Sequence, residues 1–490
     1  MTAVSSHVTR SFLALLSLAI AISLGACASV PPAGNEKSRV APLEARPVVQ
    51  PTLSSFIERL IDQPPLNRAV WAISIQEEDG KVLYSRNAGV MMTPASNRKL
   101  FVSAAAAACW GFSRQFETEV LIDGPIRAGR LEGDLIIRGG GDPSLGGRYE
   151  YDRDRVLLPI LTSLEQLGIR SISGGVVADV SRFDGQTLVP SWEIEDVGST
   201  NAAPVDALTF NEGNVGVIVE RCGRQAVLSD PTFLQSSSEV TCGDPAAVSV
   251  KSDASNRLTV SGVAPLDGRA FNDIVTVSDP ALFAAAAVSD FLNRRGIAVT
   301  GMASASRSKR EGESIATLAS PPLSMLLASY LEESINVFGD MLYKSFSVRE
   351  GTPATFAASK KVEREFLTWV VGIDPLEFDF ADGSGLSTRN KVTSNAIIKL
   401  LRFMAEPSRR GSYAAILAAP GDPGTMRRRL LDVDRLYVKT GTLSGVAGLS
   451  GFIEGKSGRI RLFSIIVNNQ PSDVAVRPTV DSIIRRIADF

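Results

Sequence analysis

The stretch Ser96-Asn97-Arg98-Lys99, followed by an apolar run over residues 100–110, sets a serine and a lysine at the start of a predicted helix. The interior of that run is nearly all alanine, leucine and phenylalanine, which predicts a buried helix. Residues three positions apart share one face of a helix, so Ser96 and Lys99 are expected to be neighbours. The stretch therefore predicts a nucleophile held next to its own base.

The proton chemistry of this serine cannot depend on histidine. A serine hydroxyl needs a neighbouring base to become a good nucleophile. The only histidine in the chain is His7, inside a segment that is typical of a removable export signal. Burial beside other cations lowers the pKa of a lysine, so a fraction of Lys99 is expected to be neutral and able to accept the Ser96 proton.

Two further triplets complete an acyl-transfer site. Ser334-Ile335-Asn336 falls between two apolar helical segments within residues 323–346, where a loop can be turned inward. We predict that Ser334 and Asn336 relay the proton to the leaving amine and hold the substrate amide. A second Ser-x-x-Lys at Ser306 lies in a polar stretch, and Ser199-Thr200-Asn201 repeats the Ser-x-Asn pattern, so each triplet alone is weak evidence.

Lys439-Thr440-Gly441 occurs once and lies on an apolar, strand-like segment. Lys439 offers a positive charge for a substrate carboxylate, with the hydroxyls of Thr440 and Thr442 beside it. Gly441 is expected to let the substrate backbone approach the strand. The backbone amides of Ser96 and Thr442 are predicted to form an oxyanion hole, worth about 3–4 kcal/mol per donor.

The order of predicted elements indicates a discontinuous catalytic domain. A hairpin is predicted over residues 70–84, and three strands with a final helix are predicted over residues 436–490. Between them lie short alternating strands near residues 117–122, 134–138, 175–180, 215–219 and 247–251, with helices near 157–167 and 280–294. Helical periodicity returns over residues 323–346, 362–371 and 394–404. We therefore expect one sheet built from both chain ends, interrupted by β-rich insertions.

With these motifs in this order, the chain resembles the class C low-molecular-mass penicillin-binding proteins, the D-alanyl-D-alanine carboxypeptidase/endopeptidase family. The matching stretches run along most of the chain: Pro94-Ala95-Ser96-Asn97-Arg98-Lys99-Leu100, Gly139-Gly140-Gly141-Asp142-Pro143, Asp382-Gly383-Ser384-Gly385-Leu386-Ser387, Gly424-Thr425, Lys439-Thr440-Gly441-Thr442-Leu443 and Leu449-Ser450-Gly451.

The resemblance implies an α+β, multi-domain chain. Its penicilloyl-serine transferase (β-lactamase-like) domain would have an antiparallel sheet flanked by helices and carry two inserted β-rich domains. The predicted division is a signal peptide with lipobox (1–27), a flexible tether (28–50), the peptidase domain (51–115 and 309–490), inserted domain II (116–141 and 212–308) and inserted domain III (142–211).

The resemblance also implies the reaction. Ser96 would be the acyl-enzyme nucleophile, Lys99 its base, Ser334 and Asn336 the relay and substrate holder, and Lys439 the carboxylate anchor. The substrates would be peptidoglycan stem peptides, β-lactams would be covalent inhibitors, and neither a metal nor an organic cofactor is implied.

The chain departs from the family pattern in four places. Ile335 occupies a position where the family often has asparagine, so we expect activity with altered fine geometry. Asp340 stands where an Ala-Glu pair is more usual, and Arg389 comes one place late because Thr388 intervenes. Asp196 matches a family aspartate that reads the amino group of a diaminopimelate side chain, although the usual aromatic near Asn201 is missing; the alternative is a turn or cap aspartate.

The N-terminus predicts export. Arg10 precedes an apolar stretch over residues 12–24, and Leu24-Gly25-Ala26-Cys27 resembles a bacterial lipobox, which predicts lipidation of Cys27. A plain signal-peptidase site at Ala26-Cys27-Ala28 is the alternative. The prediction is a periplasmic protein with an N-terminal lipid anchor, in the outer membrane if the cell has two membranes.

The composition of the chain excludes one class of partner, and its cysteines indicate the compartment. A formal net charge of −2 with no basic stripe argues against nucleic acid as a partner. Cys222 and Cys242 lie in one strand-rich region and could close a disulfide, which an oxidising compartment permits. Cys109 is expected to be a small buried hydrophobe.

Two alternative functions remain open from the sequence. A β-lactamase or esterase would use the same scaffold and turn over penicillin rapidly. A catalytically weak wall-binding or scaffold protein would keep the fold and bind muropeptides without acylation of Ser96, which Ile335 makes conceivable.

Overall fold

The computed structural model describes residues 51–150, 152–219, 227–230, 233–244, 246–266, 270–455 and 458–489. The α-helices are numbered in chain order: α1 (Pro51–Ile61), α2 (Lys99–Trp110), α3 (Leu158–Gln166), α4 (Pro280–Arg294), α5 (Leu323–Glu332), α6 (Asn336–Ser345), α7 (Phe356–Glu365), α8 (Ser394–Met404), α9 (Pro407–Ala414) and α10 (Arg477–Asp489).

The strands are numbered in the same way: β1 (Val70–Glu77), β2 (Val82–Arg86), β3 (Glu117–Ile122), β4 (Ile126–Arg127), β5 (Arg130–Leu131), β6 (Leu135–Arg138), β7 (Ser171–Ile172), β8 (Val176–Asp179), β9 (Asn214–Val219), β10 (Val227–Asp230), β11 (Ser236–Cys242), β12 (Ala247–Ser252), β13 (Leu258–Ala264), β14 (Phe271–Thr276), β15 (Ala298–Val299), β16 (Ser304–Ser306), β17 (Glu313–Ala319), β18 (Phe378–Asp379), β19 (Lys391–Val392), β20 (Leu436–Leu443), β21 (Val446–Glu454) and β22 (Ile460–Asn468).

Both chain ends build one five-stranded antiparallel sheet, in the order β2-β1-β22-β21-β20. The central pairing joins β1 to β22, with Ile73 opposite Ile465. At one edge, β20 places Lys439 opposite Ser450 of β21. The predicted sheet from two distant segments is therefore confirmed, and it carries the Lys-Thr-Gly triplet on its edge strand.

Helices cover both faces of this sheet because its strands are apolar on both sides. Alternate strand residues point to opposite faces. One face packs against α1 and α10, through Leu53, Ile57, Ile73, Ile75, Phe463, Ile483 and Ile484. The other face packs against α2 and α8, through Ala72, Phe101, Ile397, Leu462 and Ile466. The helix that carries the serine–lysine pair thus lies within the core.

The middle of the chain forms separate smaller sheets. A five-stranded mixed sheet has the order β16-β8-β6-β3-β17, and a four-stranded one the order β15-β7-β5-β4. Two three-stranded sheets follow, β10-β9-β14 and β11-β13-β12. This mixture of helices and several sheets agrees with the predicted multi-domain α+β class.

Among the described residues, five strand pairings cross the predicted domain boundaries: β5 with β7, β6 with β8, β7 with β15, β8 with β16, and β3 with β17. Strand β8, from the range predicted as domain III, pairs in parallel with β6 from domain II. Strand β17, from the range predicted as peptidase domain, pairs antiparallel with β3. The division into three domains remains a prediction, and any such division must account for these shared strands.

The predicted helical range 323–346 consists of two helices, α5 and α6, separated at residues 333–335. Ser334 lies in this break with a φ of +66°. A non-glycine residue in the left-handed region is uncommon and is held there by its surroundings. In the described ranges, no helix has the length and apolar character needed to cross a bilayer.

Candidate active site

The turn that carries Ser96 packs closely against β20, the edge strand of the main sheet. A 3₁₀-helix, Ala95–Arg98, leads into α2, and Ala95 has a φ of +48°. A side-chain carbon built on Gly441 would lie 2.6 Å from the Asn97 Nδ2 atom and 2.8 Å from the Pro94 carbonyl oxygen. Glycine is therefore required at this point of β20 because the serine turn occupies the space. The sequence predicts that substrate approaches the strand at this glycine, whereas in the structure the Asn97 side chain and the Pro94 carbonyl occupy that space.

Lys99 is fully buried and donates three hydrogen bonds. Its Nζ atom lies 2.9 Å from Ser96 Oγ, 2.7 Å from Asn336 Oδ1 and 2.5 Å from the Ser384 carbonyl oxygen. An ammonium group has three hydrogens, so these acceptors satisfy the charged form completely. The structure thus brings together residues from α2, α6 and the loop over residues 382–387.

The electrostatic environment of Lys99 suits a base. Burial lowers the pKa of Lys99 to about 7 against the opposing effect of the Asp340 and Asp382 carboxylates, and the Arg98 guanidinium adds to the lowering. A base with a pKa close to the working pH has a large neutral fraction and still accepts a proton readily. The predicted mechanism of lowering, burial beside a cation, agrees with these causes.

Ser334 and Asn336 occupy different positions relative to Lys99. Asn336 is the first residue of α6; its Oδ1 atom accepts from Lys99, and its Nδ2 atom donates to the Asn201 carbonyl oxygen at 2.8 Å. Within the described part of the chain, the hydrogen bonds do not include one between Ser334 and Lys99. Ser334 instead lines a cavity of about 190 Å³ together with Asn336. Ile335, between them, is half-buried in extended backbone before α6.

Lys439 is also fully buried, on strand β20. Its Nζ atom lies 3.5 Å from the Thr440 hydroxyl oxygen. Burial lowers the pKa of Lys439 well below its ordinary value, and the nearby Lys99 charge acts in the same direction. A neutral Lys99 therefore favours a charged Lys439. Thr442, further along the strand, is exposed.

The 382–387 loop supplies the Ser384 carbonyl and is anchored from several sides. The Asp340 Oδ1 atom of α6 accepts from the backbone amides of Gly383 at 2.7 Å and Ser384 at 3.1 Å. The Tyr330 hydroxyl donates to the Gly383 carbonyl at 2.7 Å. Asp340 is fully buried, and its burial raises the pKa of the carboxyl, with the Asp382 charge adding to this effect. From the sequence, Asp340 is recognisable only as a departure from the family pattern.

Arg98, which lies between Ser96 and Lys99 in the chain, anchors the serine turn through buried contacts with Glu363 and the 382–387 loop. Its guanidinium makes a two-pronged ion pair with the Glu363 carboxylate, at 2.6 and 2.7 Å, and both side chains are buried. Its Nε atom donates to the Asp382 carbonyl at 2.8 Å. The guanidinium also lies 4.0 Å from the centre of the Phe380 ring. Removing one partner of such a buried pair is expected to cost about 3–5 kcal/mol.

The segment around Asp196 lies beside the site. The Trp192 Nε1 atom donates to Asp382 at 3.0 Å, and the Asn201 carbonyl accepts from Asn336. Asp196 is half-buried in a turn, where its backbone carbonyl accepts from the Ser199 amide at 3.1 Å and the Ser199 hydroxyl at 2.6 Å. Its role as a substrate-reading residue remains a prediction.

The second Ser-x-x-Lys pattern is not part of this site, whereas the second Ser-x-Asn pattern adjoins it through the Asn201 carbonyl, which accepts from Asn336. Ser306 is on β16, where its hydroxyl donates to the Ser308 carbonyl, and Lys309 pairs with Glu311. Among the described residues, no cluster of histidine, cysteine, aspartate and glutamate is arranged to hold a metal ion.

Of the cysteines, Cys109 is a free thiol whose pKa burial raises to about 12. Cys242 is disulfide-bonded. Its predicted partner Cys222 and the predicted lipidation site Cys27 lie outside the described residues. The pairing and the lipidation therefore stay predictions.

Asp340 has two separable effects that substitution can test. In Asp340→Asn the amide oxygen can still accept from the loop, but the negative charge that raises the pKa of Lys99 is gone. The acid limb of the pH profile of kcat/KM should therefore move to lower pH. In Asp340→Ala two buried N–H groups lose their acceptor, at about 1–3 kcal/mol each, so stability and kcat should both fall.

The measurements are kcat/KM as a function of pH and the free energy of unfolding in denaturant. Asp379→Asn is the matched control, because Asp379 lies in an exposed ion pair with Lys360. An unmoved acid limb in Asp340→Asn, together with wild-type stability in Asp340→Ala, would contradict this assignment.

Comparison with known proteins identifies the family of the chain. A family model described as the D-Ala-D-Ala carboxypeptidase 3 (S13) family matches residues 53–489. The chain is 30% identical over 467 residues to a D-alanyl-D-alanine carboxypeptidase from Actinomadura sp. (strain R39), covering 89% of this chain and 85% of that protein. It is 26% identical over 438 residues to D-alanyl-D-alanine carboxypeptidase DacB from Haemophilus influenzae, covering 85% and 89%.

A solved structure is similar in fold. The crystal structure of penicillin binding protein 4 (dacB) from Haemophilus influenzae superposes with a TM-score of 0.78 at 24% identity, over 89% of this chain and 99% of that one. The resemblance predicted from the motifs is thus confirmed, and the chain belongs to the D-Ala-D-Ala carboxypeptidase 3 (S13) family.

Proposed function

We propose that this serine-type D-Ala-D-Ala carboxypeptidase cleaves peptidoglycan stem peptides through an acyl-enzyme on Ser96. The observation that carries the proposal is the distance of 2.9 Å between Ser96 Oγ and the buried Nζ atom of Lys99. Burial brings the pKa of Lys99 to about 7, so the same group can take a proton and return it. Family membership makes the chain a D-Ala-D-Ala carboxypeptidase, and the distances and burial at the site support the proposed mechanism.

Acylation requires a neutral Lys99. Its amine takes the hydroxyl proton of Ser96 while Oγ bonds to the carbonyl carbon of the penultimate D-alanine. The amides of Ser96 and Thr442 stabilise the oxyanion. The peptide C–N bond then breaks, and the proton reaches the leaving amine of the terminal D-alanine, with Ser334 as relay. Lys439 pairs with the free carboxylate of that terminal residue.

Deacylation returns the enzyme to its starting state. A water molecule attacks the ester carbon, Lys99 accepts its proton, and the C–Oγ bond breaks as Ser96 is reprotonated. The released peptide is one D-alanine shorter and ends in a new carboxylate. A β-lactam follows the first step only: its amide bond opens onto Ser96, and the amine cannot depart because it remains tethered to the acyl group.

Where the enzyme works follows from its substrate. Peptidoglycan lies outside the cytoplasmic membrane, so the export signal predicted from the N-terminus agrees with the reaction. We propose a periplasmic enzyme anchored through a lipid on Cys27, as the residues 24–27 indicate.

The test is D-alanine release from a pentapeptide ending in D-Ala-D-Ala, by protein lacking residues 1–27. We expect release that stops after preincubation with one equivalent of benzylpenicillin. Hydrolysed penicillin without lasting inhibition would favour the β-lactamase reading instead. Muropeptide binding with neither D-alanine release nor acylation would favour the scaffold reading.

A further inference from the structure

Two adjoining cavities lead away from the catalytic residues. The inner cavity, about 190 Å³, is the one lined by Ser334 and Asn336. The outer cavity, about 710 Å³, lies against strands β9 and β14. Thr200, Glu212 and Asn214 line both. The two cavities therefore form one path from the active site to the inserted β-rich region, and the outer one is of a size that holds small-molecule ligands.

An unusual turn shapes the wall of the outer cavity. Asn211, Glu212 and Gly213 are consecutive and have φ values of +50°, +58° and +70°. Non-glycine residues rarely adopt this conformation, and such strain gathers at ligand sites where surrounding structure holds it. The Asn211 side chain closes the turn by donating to the Asn214 carbonyl at 3.3 Å. The turn directs consecutive polar residues to the cavity.

Arg148 connects the wall of the outer cavity to the catalytic Ser334. Its Nε atom donates to Glu212 at 2.5 Å, and its Nη1 atom donates to Glu333 at 2.9 and 3.0 Å. Glu333 directly precedes Ser334 in the chain. One guanidinium thus joins the strained turn of the outer cavity to the strained residue of the inner one. A ligand in the outer cavity would contact a wall that is continuous with the active site.

The lining favours an uncharged ligand with many hydrogen-bonding groups. Arg148 is already paired with two carboxylates, and Asp273 adds another acidic group, so an anionic ligand is disfavoured. The remaining lining includes the polar side chains of Asn214 and Asn272, and the Asn214 Oδ1 atom is buried without a hydrogen-bond partner among the described residues. Ile274 adds an apolar surface and is 57% exposed.

We propose that the outer cavity binds the sugar-bearing end of a glycopeptide substrate. The proposal rests on the proposed function, in which Lys439 holds the departing end of the substrate and Asn336 holds the acyl end. A path that begins at Asn336 therefore receives the part of the substrate upstream of the scissile bond. Stem residues come first along that path, and the glycan with its hydroxyl and acetamido groups follows. The side chains of Asn214 and Asn272 can form hydrogen bonds with the hydroxyl and acetamido groups, and Ile274 can pack against the apolar face of a sugar ring.

Binding to a Ser96→Ala protein tests the cavity without turnover. The ligands are a pentapeptide ending in D-Ala-D-Ala and the same pentapeptide carrying its disaccharide, each titrated by calorimetry. We expect the disaccharide to tighten Kd about tenfold, as one or two net hydrogen bonds would. Adding Asn272→Trp, which fills the cavity from an exposed strand position, should remove that gain and leave pentapeptide binding unchanged.

The matched control is Ser249→Trp, an exposed position on β12 that does not line the cavity, and it should keep the gain. Equal Kd values for the two ligands would overturn the proposal, as would loss of the gain in Ser249→Trp. Tighter binding of a cross-linked peptide dimer than of the disaccharide pentapeptide would assign the cavity to a second peptide instead. Failure of wild-type D-alanine release would sink the proposed function, whereas the binding comparison decides the cavity separately.

Discussion

Ser96→Ala should reduce D-alanine release by a factor on the order of 10⁶, the size of loss found when the nucleophile of a serine protease is removed. The same variant should show no mass increase after incubation with benzylpenicillin, whereas wild-type protein should gain one penicilloyl group per chain. The physical reason is that Ser96 Oγ is the hydroxyl hydrogen-bonded to the buried amine of Lys99. Intact-protein mass spectrometry and a D-alanine assay measure the two effects.

Ser306→Ala is the matched control for this experiment. Ser306 also begins a Ser-x-x-Lys pattern, but Lys309 forms an exposed ion pair with Glu311 at 3.2 Å, and the Ser306 hydroxyl donates to the Ser308 carbonyl. The control should keep both the adduct and full activity. A penicilloyl adduct that persists in Ser96→Ala would show that another residue is the nucleophile.

Lys99→Arg should reduce kcat/KM by about 10²–10⁴-fold, the usual contribution of a general base. Arginine keeps a positive charge near Ser96 but does not lose its proton in proteins, so it cannot accept the hydroxyl proton. This substitution therefore distinguishes the effect of the positive charge at position 99 from the effect of a group that can accept a proton.

The pH profile gives the matching readout. Lys99 acts as a base only when neutral, and its pKa lies at about 7. Wild-type kcat/KM should therefore rise with pH through about 7 and then level off, and this acid limb should be missing from Lys99→Arg. An acid limb near pH 7 that persists in Lys99→Arg would assign the titration to another group.

Elements with strong local patterns were predictable from sequence. The hairpin of β1 and β2 and helix α4 lie where alternation and helical periodicity predicted them, since both patterns are short-range properties of the chain. The proximity of Ser96 and Lys99 was predictable for the same reason, because three residues of helix or 3₁₀ backbone bring them to one side.

Other parts of the site depend on contacts between distant segments. The sequence predicts a loop at Ser334 between two helical segments, but the positive φ of Ser334 is maintained by the fold around it. Asp340 anchors a loop that begins 42 residues later in the chain, at Asp382, and its charge acts directly on Lys99. Glycine is needed at position 441 because a larger side chain would collide with the Asn97 side chain, and not because substrate occupies that space. None of these contacts leaves a local pattern.

The amino-acid sequence is enough to identify the family, the order of the three motifs and the confinement of histidine to the first residues of the chain. Those are properties of residue identity and spacing. Tertiary structure alone decided which acceptors surround Lys99, how far its pKa falls, and that Asp340 and Arg98 hold the 382–387 loop. Burial and electrostatic interaction depend on contacts between residues that are distant in sequence, and those contacts form only in the folded chain.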